Sequence, residues 1–256
     1  MPTSLTAAEY VKRLERHRSA VELEKIQRYF KSGEGEYGQG DVFMGVRMGQ
    51  VFALSDEFKE MELDEIDQLL ASPIHEVRAG GVKIMANQAK NKKTTAARCN
   101  ELFELYLGSM DRINNWDLVD LGAWDVVGRY LVDKPRDVLY DLARSANIWE
   151  RRTAALSTMA FIRRGEVDDA FRIAELLLND DQDLIHKAVG WSLREAGRHD
   201  RQRLTRLLDA HAATMPRTAL RSAMEHFDKD LRDHYLGLRK ANVSGGPAPV
   251  ADIAEH

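Results

Sequence analysis

Arg78-Ala79-Gly80-Gly81-Val82-Lys83-Ile84-Met85 and Arg152-Thr153-Ala154-Ala155-Leu156-Ser157-Thr158-Met159 follow one pattern: a leading arginine, small residues, a closing methionine. Lys187-Ala188-Val189-Gly190-Trp191-Ser192-Leu193 continues it, and Thr218-Ala219-Leu220-Arg221-Ser222-Ala223-Met224 follows more loosely. Trp116 falls near midway between Arg78 and Arg152. A period of 30-odd residues leaves room for one antiparallel helix pair per unit. Stacked pairs of that kind build a helical solenoid. The small residues Ala79, Gly80, Gly81, Ala154, Ala155, Ala188 and Gly190 let neighbouring helices approach closely. Equivalent positions then line one concave surface, so Arg78, Trp116, Arg152 and Lys187 are expected to face a common groove.

The rest of the chain agrees with an all-α reading. Thr6-x-x-Glu9 reads as a capping box opening a helix to about Arg18, and a second helix is expected over 21–31. Apolar periodicity then predicts helices near 46–60, 62–71, 74–90, 94–110, 116–133, 136–146, 149–164, 166–179, 183–197, 200–213, 216–226 and 228–240. No segment alternates as a strand does. Ser32 to Asp41 reads as a glycine-rich loop. Residues 1–240 read as one repeat domain, and 241–256, small, polar and Gly/Pro-containing, as a disordered tail.

The 256 residues, 44% hydrophobic and 30% charged, suffice for a large continuous core. No charged-then-apolar leader and no bilayer-length apolar run is present, so no membrane association is expected. The single cysteine, Cys99, excludes an internal disulfide and fits a reducing cytosol. A net charge of −4 does not advertise a polyanion as partner. A basic groove can nevertheless sit on an acidic body. Arg151-Arg152, Arg163-Arg164, Lys187, Arg194 and the run from Arg198 to Arg206 are candidates for one, set against their reading as ordinary solvated helix faces.

Asn114-Asn115-Trp116-Asp117-Leu118-Val119-Asp120 is the stretch richest in chemistry. Trp116 and Asp120 are four apart and share a helix face. Asn114 or Asn115 can cap the helix, and Asp117 suits the positive end of its dipole. A carboxylate one turn below a tryptophan suits a cation; the plainer alternative is a core tryptophan beside a solvated acid. Lys187, Trp191 and Arg194 or Glu195 share another face by spacing. Cations in a curved groove suit a phosphate backbone, and two tryptophans offer flat surfaces for a sugar or base. Other motifs fail. Gly33-Glu34-Gly35-Glu36-Tyr37-Gly38 matches G-x-G-x-x-G, but a helix precedes it and its glutamates repel a pyrophosphate. The eight histidines lack metal spacing, and no cofactor is expected. Tyr37 and Phe43 read as either loop anchors or DNA contacts.

The chain resembles the AlkD family of bacterial alkylpurine DNA glycosylases, built from HEAT-like repeats. Trp116-Asp117-Leu118-Val119-Asp120 is similar to the family's Trp-Asp-x-Val-Asp. Asn147-Ile148-Trp149-Glu150-Arg151-Arg152-Thr153-Ala154 is similar to its Asn-Ile-Trp-x-x-Arg-x-Ala, and Lys187 through Glu195 to its Lys-Ala-Ile-Gly-Trp-x-Leu-Arg-Glu. Arg28-Tyr29-Phe30-Lys31 resembles a weaker Arg-Tyr-Met-Lys element. The resemblance spans roughly residues 10–230, with order and spacing in agreement. It implies a HEAT-like solenoid with a concave DNA-binding groove and Asp120 as the catalytic carboxylate. Trp116 and Trp191 would cradle the lesion's deoxyribose and Arg152 would contact the backbone; Tyr29, and from the repeat register and face spacing Lys187, Arg194 and Arg78, are further candidate DNA contacts. It implies excision of cationic purines such as 3-alkyladenine and 7-alkylguanine from duplex DNA, without extrusion of the base, by a monomeric, monofunctional, cytoplasmic enzyme of bacterial type acting at the nucleoid. The longer acidic loop from Ser32 to Asp41 departs from the family.

The chemistry is consistent with those residues. An alkylated purine already carries positive charge and leaves without a strong general acid. The sugar left behind is oxocarbenium-like, and a preorganised carboxylate stabilises it or orients water. Tryptophan faces offer quadrupole density to the same cation. Two rival readings stand beside this one: a non-catalytic helical-repeat scaffold, and a binder of bent or branched DNA.

Overall fold

Helix starts are written into the sequence as polar residues before apolar periodic runs, and the computed structural model, which describes residues 5–238, honours most of them. The side chains of Thr6, Ser19, Thr95, Asp200 and Asp228 each accept a backbone N–H of the helix they open. The first half of the chain forms α1 (Ala7–Glu15), α2 (Ala20–Tyr29), α3 (Met48–Glu57), α4 (Leu63–Leu70), α5 (His75–Lys90), α6 (Ala96–Gly108) and α7 (Trp116–Gly122). A π-helical stretch, Ala123–Gly128, continues α7. The second half forms α8 (Asp137–Ala143), α9 (Ile148–Ser157), α10 (Met159–Ile162), α11 (Asp168–Leu177), α12 (Asp183–Gly197), α13 (Arg201–His211), α14 (Arg217–Ala223) and α15 (Lys229–Gly237). Among the described residues the β structure is one isolated parallel bridge, Val42 with Ile74. The fold is all-α, as the periodicity predicts. The expected tail at 241–256 lies outside the described residues.

The repeat is visible in the packing. Helices α5, α7, α9, α12 and α14 touch in chain order and form one layer. They begin at residues 75, 116, 148, 183 and 217. Helices α4, α6, α8, α11 and α13 flank them as a second layer. Apolar side chains between the layers make one continuous core from Ala7 to Tyr235. The small residues act where the repeat pattern puts them. A Cβ on Gly80 would lie 2.2 Å from the Tyr10 hydroxyl, and one on Gly190 would lie 2.8 Å from the Ala219 carbonyl oxygen of α14. The absent side chain is therefore what lets α5 approach α1 and α12 approach α14 within the stack.

Two expected helices are interrupted. The segment predicted over 116–133 is α-helical only to Gly122. It then widens, so that the Arg129 N–H reaches the Trp124 carbonyl five residues back. Gly122 and Gly128 flank this turn against neighbours: added Cβ atoms would meet the Tyr106 ring and the Ser157 carbonyl oxygen, both at 2.3 Å. The segment predicted over 149–164 breaks at Thr158 between α9 and α10, where the Thr158 hydroxyl donates to the Ala155 carbonyl.

Candidate nucleic-acid interface and catalytic centre

At the start of α7 the Asn115 side chain caps the helix by accepting from the Trp116 N–H at 2.8 Å. Asn115, not Asn114, is the cap. Trp116 is half-buried and stacks on Phe30, with centroids 5.6 Å apart and planes at 23°; Tyr29 meets it edge-on at 5.8 Å. Tyr29 is 63% exposed. These rings, with Ile26 and Met48, line an apolar cleft of about 500 Å³ to which Lys25, Arg47 and Asp117 also contribute. The structure thus brings Tyr29 and Trp116 together. Phe43, stacked on Phe30 at 5.3 Å and buried, and Tyr37, whose hydroxyl donates to the Tyr29 carbonyl, are loop anchors. Within the glycine-rich loop the Glu36 carboxylate accepts the Gly33 N–H, so that donor is already used by an anion.

One turn on, Asp120 receives both arms of a guanidinium: Arg152 Nε donates to Oδ1 at 2.8 Å and Nη2 to Oδ2 at 3.0 Å. Arg152 Nη1 donates to the Leu184 carbonyl at 2.5 Å, so one side chain on α9 ties α7 to α12. The Asp120 side chain retains 28% exposure while that of Arg152 keeps 6%. Burial pushes the Asp120 carboxyl above the usual aspartate range; the Arg152 charge and hydrogen bonds offset only part of this, and neighbouring Asp117 adds to it. Arg152, expected on a phosphate, is instead buried as the counter-ion of Asp120. The reason is depth, since its side chain is more deeply buried than the carboxylate it pairs with.

Trp124 follows on the same stripe, four residues after Asp120, and the Arg163 guanidinium lies over its ring at 3.8 Å. Trp191 joins Trp124 in a second cleft of about 450 Å³, with Met159 and Ile162 apolar and Arg163, Arg198, His199 and Glu195 polar. Asp120 therefore lies in sequence between the two clefts, Trp116 in one and Trp191 in the other. Lys187 is exposed and pairs only with Asp183, 2.8 Å away on its own helix. Arg194, expected to meet phosphate, is held by Glu225 and by Glu195 at 3.1 Å. Arg78 departs furthest from expectation. It is 5% exposed and donates to Asp41 at 2.6 Å, to Asn114 at 3.0 Å and to the carbonyls of Ser72 and Pro73. It is an internal strut, because the loop from Ser32 to Asp41 closes over it.

Sequence reading missed the centre of that strut. His75 is fully buried, its Nε2 2.8 Å from Asp117 and its Nδ1 3.6 Å from Asp41. Burial alone would lower its pKa, but the charges and hydrogen bonds of Asp117 and Asp41 outweigh it and lift it to about 9. Asp41 ends below the usual range: burial raises it, and His75, the Asn115 amide at 2.7 Å and Arg78 more than compensate. Glu76 accepts three successive backbone N–H groups, from Met44, Gly45 and Val46. These pairs span 30 or more residues of chain, and spacing carries no trace of them.

The family of DNA alkylation repair enzymes matches residues 10–227, most of the chain. The chain belongs to that family. A predicted DNA alkylation repair enzyme from Enterococcus faecalis has a similar structure, with a TM-score of 0.61 at 16% identity, covering 83% of this chain and 98% of that one. That likeness shares the fold of DNA alkylation repair enzymes. Among curated proteins none matches the chain. No helix among the described residues is long and apolar enough to cross a membrane, and no cluster of three or more His, Cys, Asp or Glu there could hold a metal.

Proposed function

We propose that this DNA alkylation repair protein is a monofunctional glycosylase that hydrolyses the N-glycosidic bond of cationic alkylated purines, 3-alkyladenine and 7-alkylguanine, in duplex DNA without drawing the base into a pocket. The observation that carries the reading is the Asp120–Arg152 pair. Arg152 favours the ionised form of a desolvated carboxylate and fixes its orientation, while the Asp120 side chain stays open to solvent on one side. Both Asp120 oxygens take one guanidinium N–H and retain a further lone pair each, directed away from Arg152. A positively charged purine is a ready leaving group. As it departs, charge develops on the deoxyribose, and a fixed carboxylate stabilises that cation or holds the attacking water. No second acid is needed to protonate the base. Trp116, four residues before Asp120 on α7, and Trp191 of the second cleft would supply flat surfaces for the sugar, with Tyr29 and Lys187 extending the contact to the strand. Arg78, Arg152 and Arg194 are spent on internal pairs, so phosphate binding falls to exposed cations. The protein is read as a cytoplasmic monomer.

Single-turnover base release from an alkylated duplex by wild type and Asp120→Asn tests this, with DNA affinity and melting measured separately. Asparagine keeps an acceptor for Arg152 and removes the charge. The expected loss of rate is on the order of 10²–10³-fold. Equal rates would remove Asp120 from the chemistry and return the chain to a DNA-binding scaffold.

A further inference from the structure

The cleft between Trp124 and Trp191 shares Trp191 with the proposed Asp120 centre, but in Trp124 and Arg163 it carries a chemistry that centre does not use. Most arginines in this half of the chain are matched with carboxylates: Arg151 with Asp180, Arg164 with Glu166, Arg203 with Asp168. Arg163 is exposed and, like Arg144 and Arg172, has no carboxylate within ion-pair distance among the described residues; what sets it apart is that it lies on the ring of Trp124 at 3.8 Å. Stacking fixes its plane and leaves its N–H edge unspent. Arg198, 58% exposed, and His199 stand on the same cleft. The acid there, Glu195, is neutralised, its oxygens accepting from Arg194 at 3.1 Å and Arg198 at 3.2 Å. The floor, Met159 and Ile162, is apolar. Flat indole and guanidinium surfaces over an apolar floor, rimmed by cations, suit a base joined to a phosphate. Paired bases in a duplex offer only their edges, so such a surface is reached by a base that has left the stack. The volume, about 450 Å³, is within the range of clefts that enclose small ligands.

We propose that the Trp124–Trp191 cleft binds one nucleotide displaced from the duplex stack, its base against the Trp124–Arg163 surface and its phosphate on Arg163 and Arg198. This rests on the reading of the protein as a DNA-binding repair enzyme, but not on Asp120 being catalytic. The displaced unit is a neighbour or partner of the lesion, since the lesion's own sugar is assigned to Asp120. The stripe Trp116, Asp120, Trp124 would then read three features of one damaged duplex: apolar contact, reacting sugar, displaced nucleotide.

Binding isotherms with three undamaged duplexes of equal length test it: fully paired, carrying one unpaired thymidine, and carrying one unpaired abasic tetrahydrofuran. Wild type should favour the unpaired thymidine over both others. Trp124→Ala and Arg163→Gln should each lower affinity for that duplex on the order of 10-fold and change the fully paired duplex far less. Arg163 is a surface residue, so Arg163→Gln carries the test even if Trp124→Ala melts early. Equal binding of thymidine and abasic duplexes, or equal losses on all three duplexes, would overturn the site. A thymidine preference together with an unimpaired Asp120→Asn rate would retain the cleft and reject only the catalytic reading.

Discussion

Asp117 and Asp120 stand three residues apart on the same short helix, and their surroundings give them opposite work. Asp117, nearly buried at the edge of the Trp116 cleft, faces a buried His75 that in turn faces Asp41 and, through it, Arg78. Asp120 is paired with Arg152 but keeps 28% of its side chain open. The first cluster is closed and nearly neutral, two acids against two cations, and it locks the Ser32–Asp41 loop to α5 and α7. The second is a single pair with an open side. A carboxylate does chemistry where its charge is maintained yet not consumed, and the difference between these two is one of access rather than of residue type.

The largest expected effect is on the closed cluster. His75→Ala removes a buried cation from between two acids and should lower stability by about 3–5 kcal/mol, read as a fall in the urea midpoint. Its sign with pH is fixed by the raised pKa, about 9 against the ordinary 6.5. The wild-type contribution is complete below the unfolded value and disappears as pH rises through the folded one. Wild type should therefore lose stability toward alkaline pH more steeply than His75→Ala, and parallel curves would break the assignment.

At the open pair the ranking reverses, with rate suffering more than fold. Asp120→Asn is expected to lose on the order of 10²–10³-fold in base release. Its melting temperature should drop less than that of His75→Ala, because asparagine still accepts from Arg152 and Leu184 holds the other arm. A smaller effect is expected at Gly122, two residues from Asp120, where an added Cβ would meet Tyr106 at 2.3 Å. Gly122→Ala should cost about 1–3 kcal/mol by overpacking and slow base release as α7 shifts; unchanged melting would show that the contact yields freely.

Acidification separates the pair again. Because the Asp120 carboxyl lies above the usual aspartate range, base release should fall as pH drops through that raised value, at higher pH than an ordinary aspartate would give. The limb should be absent in the residual rate of Asp120→Asn. Smallest of all is Lys187→Ala. Lys187, exposed and tied only to Asp183, should lower the slope of log affinity against log salt by about one unit. Arg194→Gln, already spent on Glu195 and Glu225, should leave that slope unchanged.

What could be read from the chain beforehand follows the range of the interactions. Helices and their order are set by local caps and periodicity. The small residues of the repeat mark where layers touch, and Trp116 with Asp120 is a four-residue spacing. The repeat sets Arg152 in the unit next to that pair, but its role as counter-ion depends on depth, which a pattern does not carry. Arg78 occupies a similar place in its own unit and likewise holds an acid, Asp41, supplied by a loop that lies outside the periodicity. The His75 cluster was invisible because its members come from three distant segments. Trp124 stands on the stripe by the same four-residue spacing, but its partner Arg163 comes from a distant helix, and the widened turn beginning at Ala123 has no compositional mark beyond its flanking glycines.

Arg152 also has a mechanical meaning. It is a rivet through three successive coils of a spring: planted on α9, clamped to α7 at Asp120 and to α12 at Leu184. The position of Asp120 is thereby indexed to the pitch of the stack rather than to one helix. Any partner that tightens or relaxes the winding moves the carboxylate, and α7 transplanted without its two neighbours would bring the acid but not its aim.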